Sequence, residues 1–245
     1  MTTYIRYELV RTARNRRLLF FSIGFPALIY ILVAGPNQDG QDVANLNDSG
    51  VSAPLYFMAS LAAFGAMNAV LGAGARIALD RTSGWQRQLR VTPLKPREYL
   101  GAKLLGGYLP AGLTMLVLFA AGVALGVRLP AGDWATMTGL LLVGLLPFAA
   151  LGVLLGHLVG AEAVGPAVGG LTALLAFLGG VWFPVGSGVM HDVALGLPSY
   201  WLVQAGRTSV GGAAWGATGW LVVAAWTIVL AVAASHAYRR DAERA

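Results

Sequence analysis

The most distinctive polar segment lies between two long apolar runs and reads RTSGWQRQLRVTPL over residues 81–94. Trp85 and Leu89 stand four residues apart and would share one face of a helix, while Arg87 and Arg90 would point elsewhere. A helix of about two turns is unstable by itself, so a membrane surface or another protein must hold it. The segment therefore predicts binding through apolar and basic side chains.

The sequence lacks the patterns of common catalytic sites. Lys95 and Lys103 are the only lysines, and neither follows the Gly-x-x-x-x-Gly spacing of a phosphate-binding loop, so this chain is not a P-loop ATPase. Ser-x-x-Lys, His-Glu-x-x-His and Gly-x-Ser-x-Gly are also missing, and there is no cysteine to act as a nucleophile. His191 and Asp192 are adjacent and would diverge on any regular element. We expect no catalytic residue, no metal site and no cofactor bound by this chain.

Few polar side chains fall within the long apolar runs. Asn68 and Thr114 lie inside two of them and are the candidate polar contacts of a cavity, although an interhelical hydrogen bond is the favoured role for Asn68. His157 and Glu162 lie at the end of a run and in the turn after it, which favours a helix-end role. A proton-coupled transporter would be expected to bury a carboxylate within a span, and no predicted span contains one.

The composition requires that these segments sit in a membrane. Of the 245 residues, 57% are hydrophobic and 11% are charged, whereas soluble domains contain about 25% charged residues. A bilayer core about 30 Å thick needs roughly 20 helical residues. We therefore predict an all-α integral membrane protein, a single transmembrane domain over residues 1–245. Its six spans are expected at residues 18–34, 54–75, 104–127, 136–156, 164–183 and 218–237.

The charges orient the predicted spans. Basic residues cluster before the first span, between spans two and three, and at the C-terminus, whereas Asp39, Asp42 and Asp48 lie between spans one and two. The positive-inside rule then places both termini in the cytoplasm. This distribution is not the basic stripe of a nucleic-acid-binding surface, so we expect no nucleic acid partner.

The two segments outside the spans also carry structural signals. Residues 1–17 are predicted to form an interfacial helix, because Ile5, Leu9 and Ala13 share one stripe; a solvated basic tail and a cleaved signal peptide are the alternatives. Residues 184–216 are too apolar for a free loop and too interrupted for a span, so they are expected to re-enter the outer leaflet or to lie on its surface. The aromatic residues there fit a membrane-interface belt. They are Trp182, Tyr200, Trp201, Trp215 and Trp220.

The order of basic leader, six spans, a Gly84-Trp85…Thr92-Pro93-Leu94 loop and Tyr99-Leu100…Lys103 resembles the permease subunits of type-2 ATP-binding-cassette (ABC) exporters. Phe183-Pro184 followed by Leu197-Pro198 is similar to a second signature of that family. The resemblance implies a coupling helix at residues 84–91 that seats on a separate ABC ATPase. The implied contact residues are Gly84, Trp85, Arg87, Leu89, Arg90, Thr92 and Pro93.

The resemblance also implies partners and a cargo class. ATP and Mg²⁺ would be bound by the partner ATPase, and a second permease copy, identical or a sister chain, would complete the transporter among membrane lipids. Relatives commonly carry glutamates just before the loop glycine, whereas Asp80 and Ser83 occupy that neighbourhood here, so the salt bridges that relatives make there are not carried over to this chain.

We expect outward movement of a hydrophobic or amphipathic substrate, such as a drug-like molecule, an antibiotic or a lipid, across a bacterial inner membrane. An ion-coupled secondary transporter without an ATPase is the main alternative, and a membrane scaffold or immunity factor is another.

Overall fold

The structure is a computed structural model and describes residues 2–36, 52–84, 96–183, 185–207 and 215–244. These residues form helices, turns and short irregular segments and contain no strand, which confirms the predicted all-α class. Of the predicted coupling helix at 84–91, only Gly84 belongs to the described residues. Trp85, Arg87, Leu89, Arg90, Thr92 and Pro93 lie outside them, as does Pro184.

The described part of the chain contains twelve α-helices and one π-helix, numbered here in chain order. They are α1 (Thr2–Ala13), α2 (Arg16–Leu19), the π-helix (Phe20–Gly24), α3 (Phe25–Ala34), α4 (Ala53–Ala75), α5 (Ile77–Thr82), α6 (Pro96–Ala124), α7 (Ala131–Gly144), α8 (Leu146–Leu158), α9 (Val164–Leu178), α10 (Val189–Leu195), α11 (Pro198–Ala205) and α12 (Ala217–Arg244).

Five helical stretches of the described residues are long and apolar enough to cross a membrane. They are Arg16–Ala34, Ala53–Thr82, Gly101–Ala124, Ala131–Leu158 and Ala217–Asp241. The predicted span at 164–183 corresponds to α9, which has only 15 residues and ends before Gly179. Such a helix is about 22 Å long, less than the hydrocarbon core. Gly180, with φ of 77°, turns the chain at this point in a left-handed conformation that favours glycine.

Two prolines in the interior of predicted spans, Pro26 and Pro147, lie next to interruptions of the helices. Pro26 is in the first turn of α3, directly after the π-helix, and Pro147 is in the first turn of α8, directly after a turn at Leu145. A proline fits a first turn because its missing N–H has no intrahelical partner there. Pro110 lies inside α6, which continues past it.

Helix α4 forms the centre of the bundle. Almost all of its residues are buried, and α3, α6, α8 and α9 pack around it. Gly152 and Gly156 of α8 bring that helix against the backbone of α4 at Leu71 and Gly74, as small residues do at close helix crossings. These two glycines therefore serve packing within one bundle. Gly165 and Gly169 of α9 face open space instead.

The segment after α9 folds back into the protein. Every residue of α11 is buried, and the indole Nε1 of Trp201 donates to the Leu195 carbonyl at 2.9 Å. Trp215 Nε1 donates to the Trp201 carbonyl at 2.8 Å. Tyr200, Trp201 and Trp215 are thus enclosed by protein, not arranged as the predicted interfacial belt, and the indole N–H groups of the two tryptophans find partners inside the fold. Trp220 is half-exposed.

Candidate functional site

The chain concentrates its buried charges at the end of the bundle where α5 ends and α6 begins, which we call the basic end (Glu8, Arg11, Arg76, Asp80, Arg81, Lys103, His157 and Asp241). Asp80 and Arg81 are adjacent on α5, and neighbours on a helix point about 100° apart. Each can therefore reach a different set of helices, and the two residues organise two separate clusters of contacts.

The first cluster, the lysine cluster, joins α1, α5 and α6 (Glu8, Arg11, Asp80 and Lys103). Lys103 Nζ donates to Asp80 Oδ2 at 2.7 Å and to Glu8 Oε1 at 2.8 Å. Arg11 Nη1 donates to Asp80 Oδ1 at 2.6 Å. The side chains of Asp80 and Lys103 are 0% exposed, and that of Glu8 is 3% exposed. Charges this deeply buried are tolerated only when they are paired and hydrogen-bonded, and here both carboxylates have a basic partner.

Arg11 closes the exposed side of this cluster. Burial by itself would lower the pKa of Arg11, but the hydrogen bond and the charge of Asp80 raise the pKa above its ordinary value. Arg11 therefore stays charged, and it pairs with Asp80 Oδ1, the carboxylate oxygen that Lys103 does not contact. The end of α5 is in this way fixed to the leader helix α1.

Arg76 adds a third positive charge beside the two carboxylates. It lies in the turn between α4 and α5, is 9% exposed, and donates from Nη1 to Thr12 Oγ1 at a long 3.4 Å. Because Glu8 and Asp80 are already bound by Lys103 and Arg11, no described carboxylate forms a salt bridge with Arg76. The cluster and Arg76 together carry three basic groups against two acidic ones.

The second cluster, the arginine cluster, joins α5, α8 and α12 (Arg81, His157 and Asp241). Arg81 lies 3.1 Å by Nη2 and 3.0 Å by Nε from the two oxygens of Asp241, a forked arrangement suited to a carboxylate. Its Nη1 donates to the carbonyl of His157 at 2.7 Å, at the end of α8. His157 Nδ1 lies 2.7 Å from Asp241 Oδ2. The ends of three helices are thereby held together.

Members of the two clusters flank residues 85–95 in the sequence. Asp80 and Arg81 precede this segment on the chain, and Lys103 follows it on α6. Ion pairs join α5 to α1, α6 and α12, and a hydrogen bond from Arg81 to the His157 carbonyl joins it to α8. Among the described residues, no three metal-binding side chains come together.

Sequence reasoning missed most of this site. It assigned Lys103 and Arg81 to a basic polar stretch that orients the chain, whereas Lys103 is fully buried and Arg81 caps α8. Asp80, near Gly84, forms two salt bridges for which the sequence offered no grounds. The expected helix-end placement of His157 is correct, and Glu162 lies exposed in the following turn. The partners of Lys103 are 23 and 95 residues away in sequence, so local spacing carried no signal.

The two predicted cavity residues are in different surroundings. Thr114 is fully buried, and its hydroxyl donates to the carbonyls of Ser22 at 3.0 Å and Pro110 at 2.8 Å. Asn68 donates from Nδ2 to the Phe21 carbonyl at 3.2 Å, which is an interhelical hydrogen bond of the kind expected. Asn68 also lines an open cavity of about 270 Å³, which we call the α4 cleft (lined by Asn15, Arg17, Leu18, Phe21, Asn68, Gly72, Ala75, Arg76, Leu79, Val164, Gly165, Val168 and Gly169).

The remaining predicted site residues lie at element ends. Gly84 follows α5 with φ of 70°, a left-handed conformation that ends the helix. Phe183 is exposed after α9, while Leu197 precedes α11 in an extended conformation and Pro198 is buried in its first turn.

The opposite end of α4, which we call the aromatic end (Tyr56, Gly180, Tyr200, Trp201, Arg207 and Trp215), contains the partly buried Arg207. The Arg207 guanidinium lies 4.3 Å from the centroid of the Tyr56 ring, and its Nη2 donates to the Gly180 carbonyl at 3.1 Å. The Tyr56 hydroxyl donates to the same carbonyl at 2.9 Å. Burial lowers the pKa of Arg207, and the nearby Tyr56 and Tyr200 offset part of that effect. Three elements are joined here without an ion pair.

Comparison with known proteins places this architecture among transporters. The family model described as "ABC-2 family transporter protein" matches residues 36–235. A protein of Bacillus subtilis (strain 168) with the name "Putative transport permease YvfS" is 31% identical over 199 residues, which cover 79% of this chain and 78% of that protein.

Proposed function

Because this chain belongs to the ABC-2 family of transporter proteins and is a multi-pass membrane permease, we propose that it is the membrane-spanning subunit of an ATP-driven exporter. An ABC ATPase is the general partner of permeases of this family. In this proposal the separate ATPase subunit binds ATP and Mg²⁺, and the permease chain contributes no ATP-hydrolysing site. A second permease copy, identical or a sister chain, completes the transporter.

The observation that carries this proposal is the anchoring of both sides of residues 85–95 to the bundle. Asp80 and Arg81 hold the N-terminal side, and Lys103 holds the C-terminal side. A coupling segment must pass a force to the spans, and short ion pairs between buried groups resist displacement because separating them leaves uncompensated charge. Movement of the segment by the ATPase would therefore be passed to several helices at once.

The proposed contact surface for the ATPase is the segment from Gly84 to Pro93. Trp85 and Leu89 would provide its apolar contacts, and Arg87 and Arg90 would provide charge. Aromatic residues and arginine are the residue types that most often dominate the binding energy of a protein interface. Gly84 supports this assignment, since its left-handed backbone separates the segment from α5.

The proposed cargo is hydrophobic or amphipathic, such as a drug-like molecule, an antibiotic or a lipid, and its movement is outward across a bacterial inner membrane with both termini in the cytoplasm. The α4 cleft supports an amphipathic cargo because its walls combine apolar side chains with Asn68, Arg17 and Arg76. Pockets of this type use a few placed polar groups to orient an otherwise apolar ligand.

The test is affinity purification of the full chain in a mild detergent, followed by identification of any ATPase subunit that accompanies it. We expect the ATPase to co-purify with the wild type and to be lost from the double variant Trp85→Ala, Leu89→Ala. The matched control is Trp220→Ala with Leu221→Ala, an exposed Trp and Leu pair at the start of α12, which should retain the ATPase. Transport driven by a proton gradient after ATP depletion would contradict the proposal.

A further inference from the structure

The two ends of the α4 cleft are lined by different kinds of residue. Along α4 the chain runs from Asn68 through Gly72 to Arg76, so Arg76 lies about 12 Å along the helix axis from Asn68. The N-terminal segment runs antiparallel beside α4, with Thr12 at Arg76, Leu18 at Gly72 and Phe21 at Asn68, so Asn15 and Arg17 line the cleft toward its Arg76 end. The other end is lined by Phe21, Val168 and Gly169. One end is therefore basic and the other is apolar.

The charge at the basic end of the cleft is not neutralised within the described part of the protein. Glu8 and Asp80, the two buried carboxylates nearest to Arg76, are bound by Lys103 and Arg11. Arg76 has one long contact with a neutral hydroxyl, and the Arg17 side chain forms no ion pair with a described residue. A buried arginine without a carboxylate partner is costly, because its charge is removed from water. Arg76 is 9% exposed and lines an open cavity, so an anion in the cleft would offset this cost.

The shape of the cleft matches a headgroup with a tail. At about 270 Å³ it is slightly smaller than the roughly 300 Å³ at which pockets for drug-sized ligands begin, so it would hold a headgroup and only the first part of a chain. Gly165 and Gly169 leave open space along its α9 wall, beside the side chains of Val164 and Val168. The rest of an acyl chain could leave toward lipid, beside the exposed Phe21.

We propose that the α4 cleft binds the anionic headgroup of an amphiphile, with Arg17 and Arg76 contacting the phosphate or carboxylate and Phe21 and Val168 contacting the chain. As an account of cargo this rests on the proposed export function, whereas the binding itself requires no ATPase. Guanidinium groups suit this role because they donate paired hydrogen bonds to phosphate and carboxylate oxygens.

The test is native mass spectrometry of the full chain, purified in a maltoside detergent and mixed with equal amounts of dioleoylphosphatidylglycerol and dioleoylphosphatidylcholine. The wild type is expected to prefer phosphatidylglycerol. Arg76→Gln should reduce that preference about tenfold, the factor that corresponds to a lost hydrogen bond to a charged group. Arg17→Gln should reduce it severalfold. The matched control is Arg16→Gln, an exposed neighbour that does not line the cleft and should keep the preference.

Two further arms complete the test. If excess inorganic phosphate displaces phosphatidylglycerol, the site recognises phosphate alone. If it does not, the site binds phosphate only as part of a molecule with a lipid tail. Should Arg76→Gln not fold, Gly169→Leu fills the cleft from a position where an added Cβ meets no atom within 4 Å, and it should block binding.

An unchanged preference in Arg76→Gln or in Gly169→Leu would overturn the proposal, as would an equal loss in Arg16→Gln. Each of these results is independent of ATPase co-purification. The binding proposal and the export proposal can therefore fail separately.

Discussion

The two ends of helix α4 are secured by different chemistry. Tyr56 and Arg76 are 20 residues apart on one continuous helix, or about 30 Å. At the basic end, four helices are joined by short ion pairs among buried or half-buried charges, and a fifth, α8, is held by a hydrogen bond from Arg81. At the aromatic end, the carbonyl of Gly180 accepts hydrogen bonds from Tyr56 and Arg207, the Arg207 guanidinium lies over the Tyr56 ring, and the neighbouring aromatic rings meet edge to face.

This difference has a mechanical consequence. Separating a buried ion pair leaves two uncompensated charges, whereas replacing a neutral hydrogen bond or a ring contact costs about 1 kcal/mol. The basic end should therefore move as one unit, and the aromatic end should rearrange more easily. A bundle with one stiff end and one adaptable end suits a protein that receives force at the first and opens at the second.

The largest effect that this comparison predicts is at Lys103. Lys103→Met removes the only cation shared by Glu8 and Asp80 and leaves two buried carboxylates side by side. We expect a loss of about 3–5 kcal/mol in the free energy of unfolding, which can be measured by titrating the purified chain from mild detergent into sodium dodecyl sulfate.

Two further variants test whether charge causes this loss. Adding Glu8→Gln to Lys103→Met should recover part of the stability, because Asp80 keeps its ion pair with Arg11. Arg76→Gln removes a cation that has no carboxylate partner among the described residues, and it should change the unfolding free energy by less than about 1 kcal/mol. Equal losses in Lys103→Met and Arg76→Gln would show that the basic end is not organised by paired charge.

The helices of both ends were predictable from the sequence, but the contacts that distinguish the ends were not. Apolar runs of about 20 residues locate spans because an unpaired backbone cannot cross lipid. The placement of Asn68 opposite another helix was predictable for a related reason, since a polar side chain in a span needs a partner. Both inferences use only the local composition and the solvent.

Lys103 shows why the rest could not be predicted. A lysine near the start of a span is equally consistent with a surface charge and with a buried pair, and its partners are distant in sequence. The burial of Tyr200 and Trp201 was unpredictable for the same reason, because a tryptophan near a span end suits either an interface or a packed core. The roles of Trp85, Arg87, Leu89 and Arg90 in coupling remain predictions.

An intermediate effect is expected at Asp241, which lies in the less buried cluster of the basic end. Asp241→Asn keeps the shape of the side chain but removes its charge from Arg81 and His157. Because the two partners of the Arg81–Asp241 pair are 33% and 17% exposed, water screens part of the interaction, and Arg81 keeps its bonds to the end of α8.

We expect Asp241→Asn to lower the unfolding free energy by about 1–2 kcal/mol in the same titration, less than Lys103→Met. Glu162→Gln, a charge-removing change at an exposed turn residue, is the matched control and should be neutral. If Asp241→Asn lost as much stability as Lys103→Met, the degree of burial would not determine which cluster contributes more to the free energy of unfolding.

The smallest effect belongs to the aromatic end, where Tyr56→Phe removes one hydrogen bond and keeps the ring beneath Arg207. The Gly180 carbonyl still accepts from Arg207, so no buried acceptor is left unpaired and the expected loss is about 1 kcal/mol. Tyr30→Phe is the matched control, because the buried Tyr30 hydroxyl has no hydrogen-bond partner among the described residues; its removal should be neutral or slightly stabilising. If Tyr56→Phe instead matched Lys103→Met, the aromatic end would be as rigid as the basic end, and the assignment of the adaptable end would have to be reversed or abandoned.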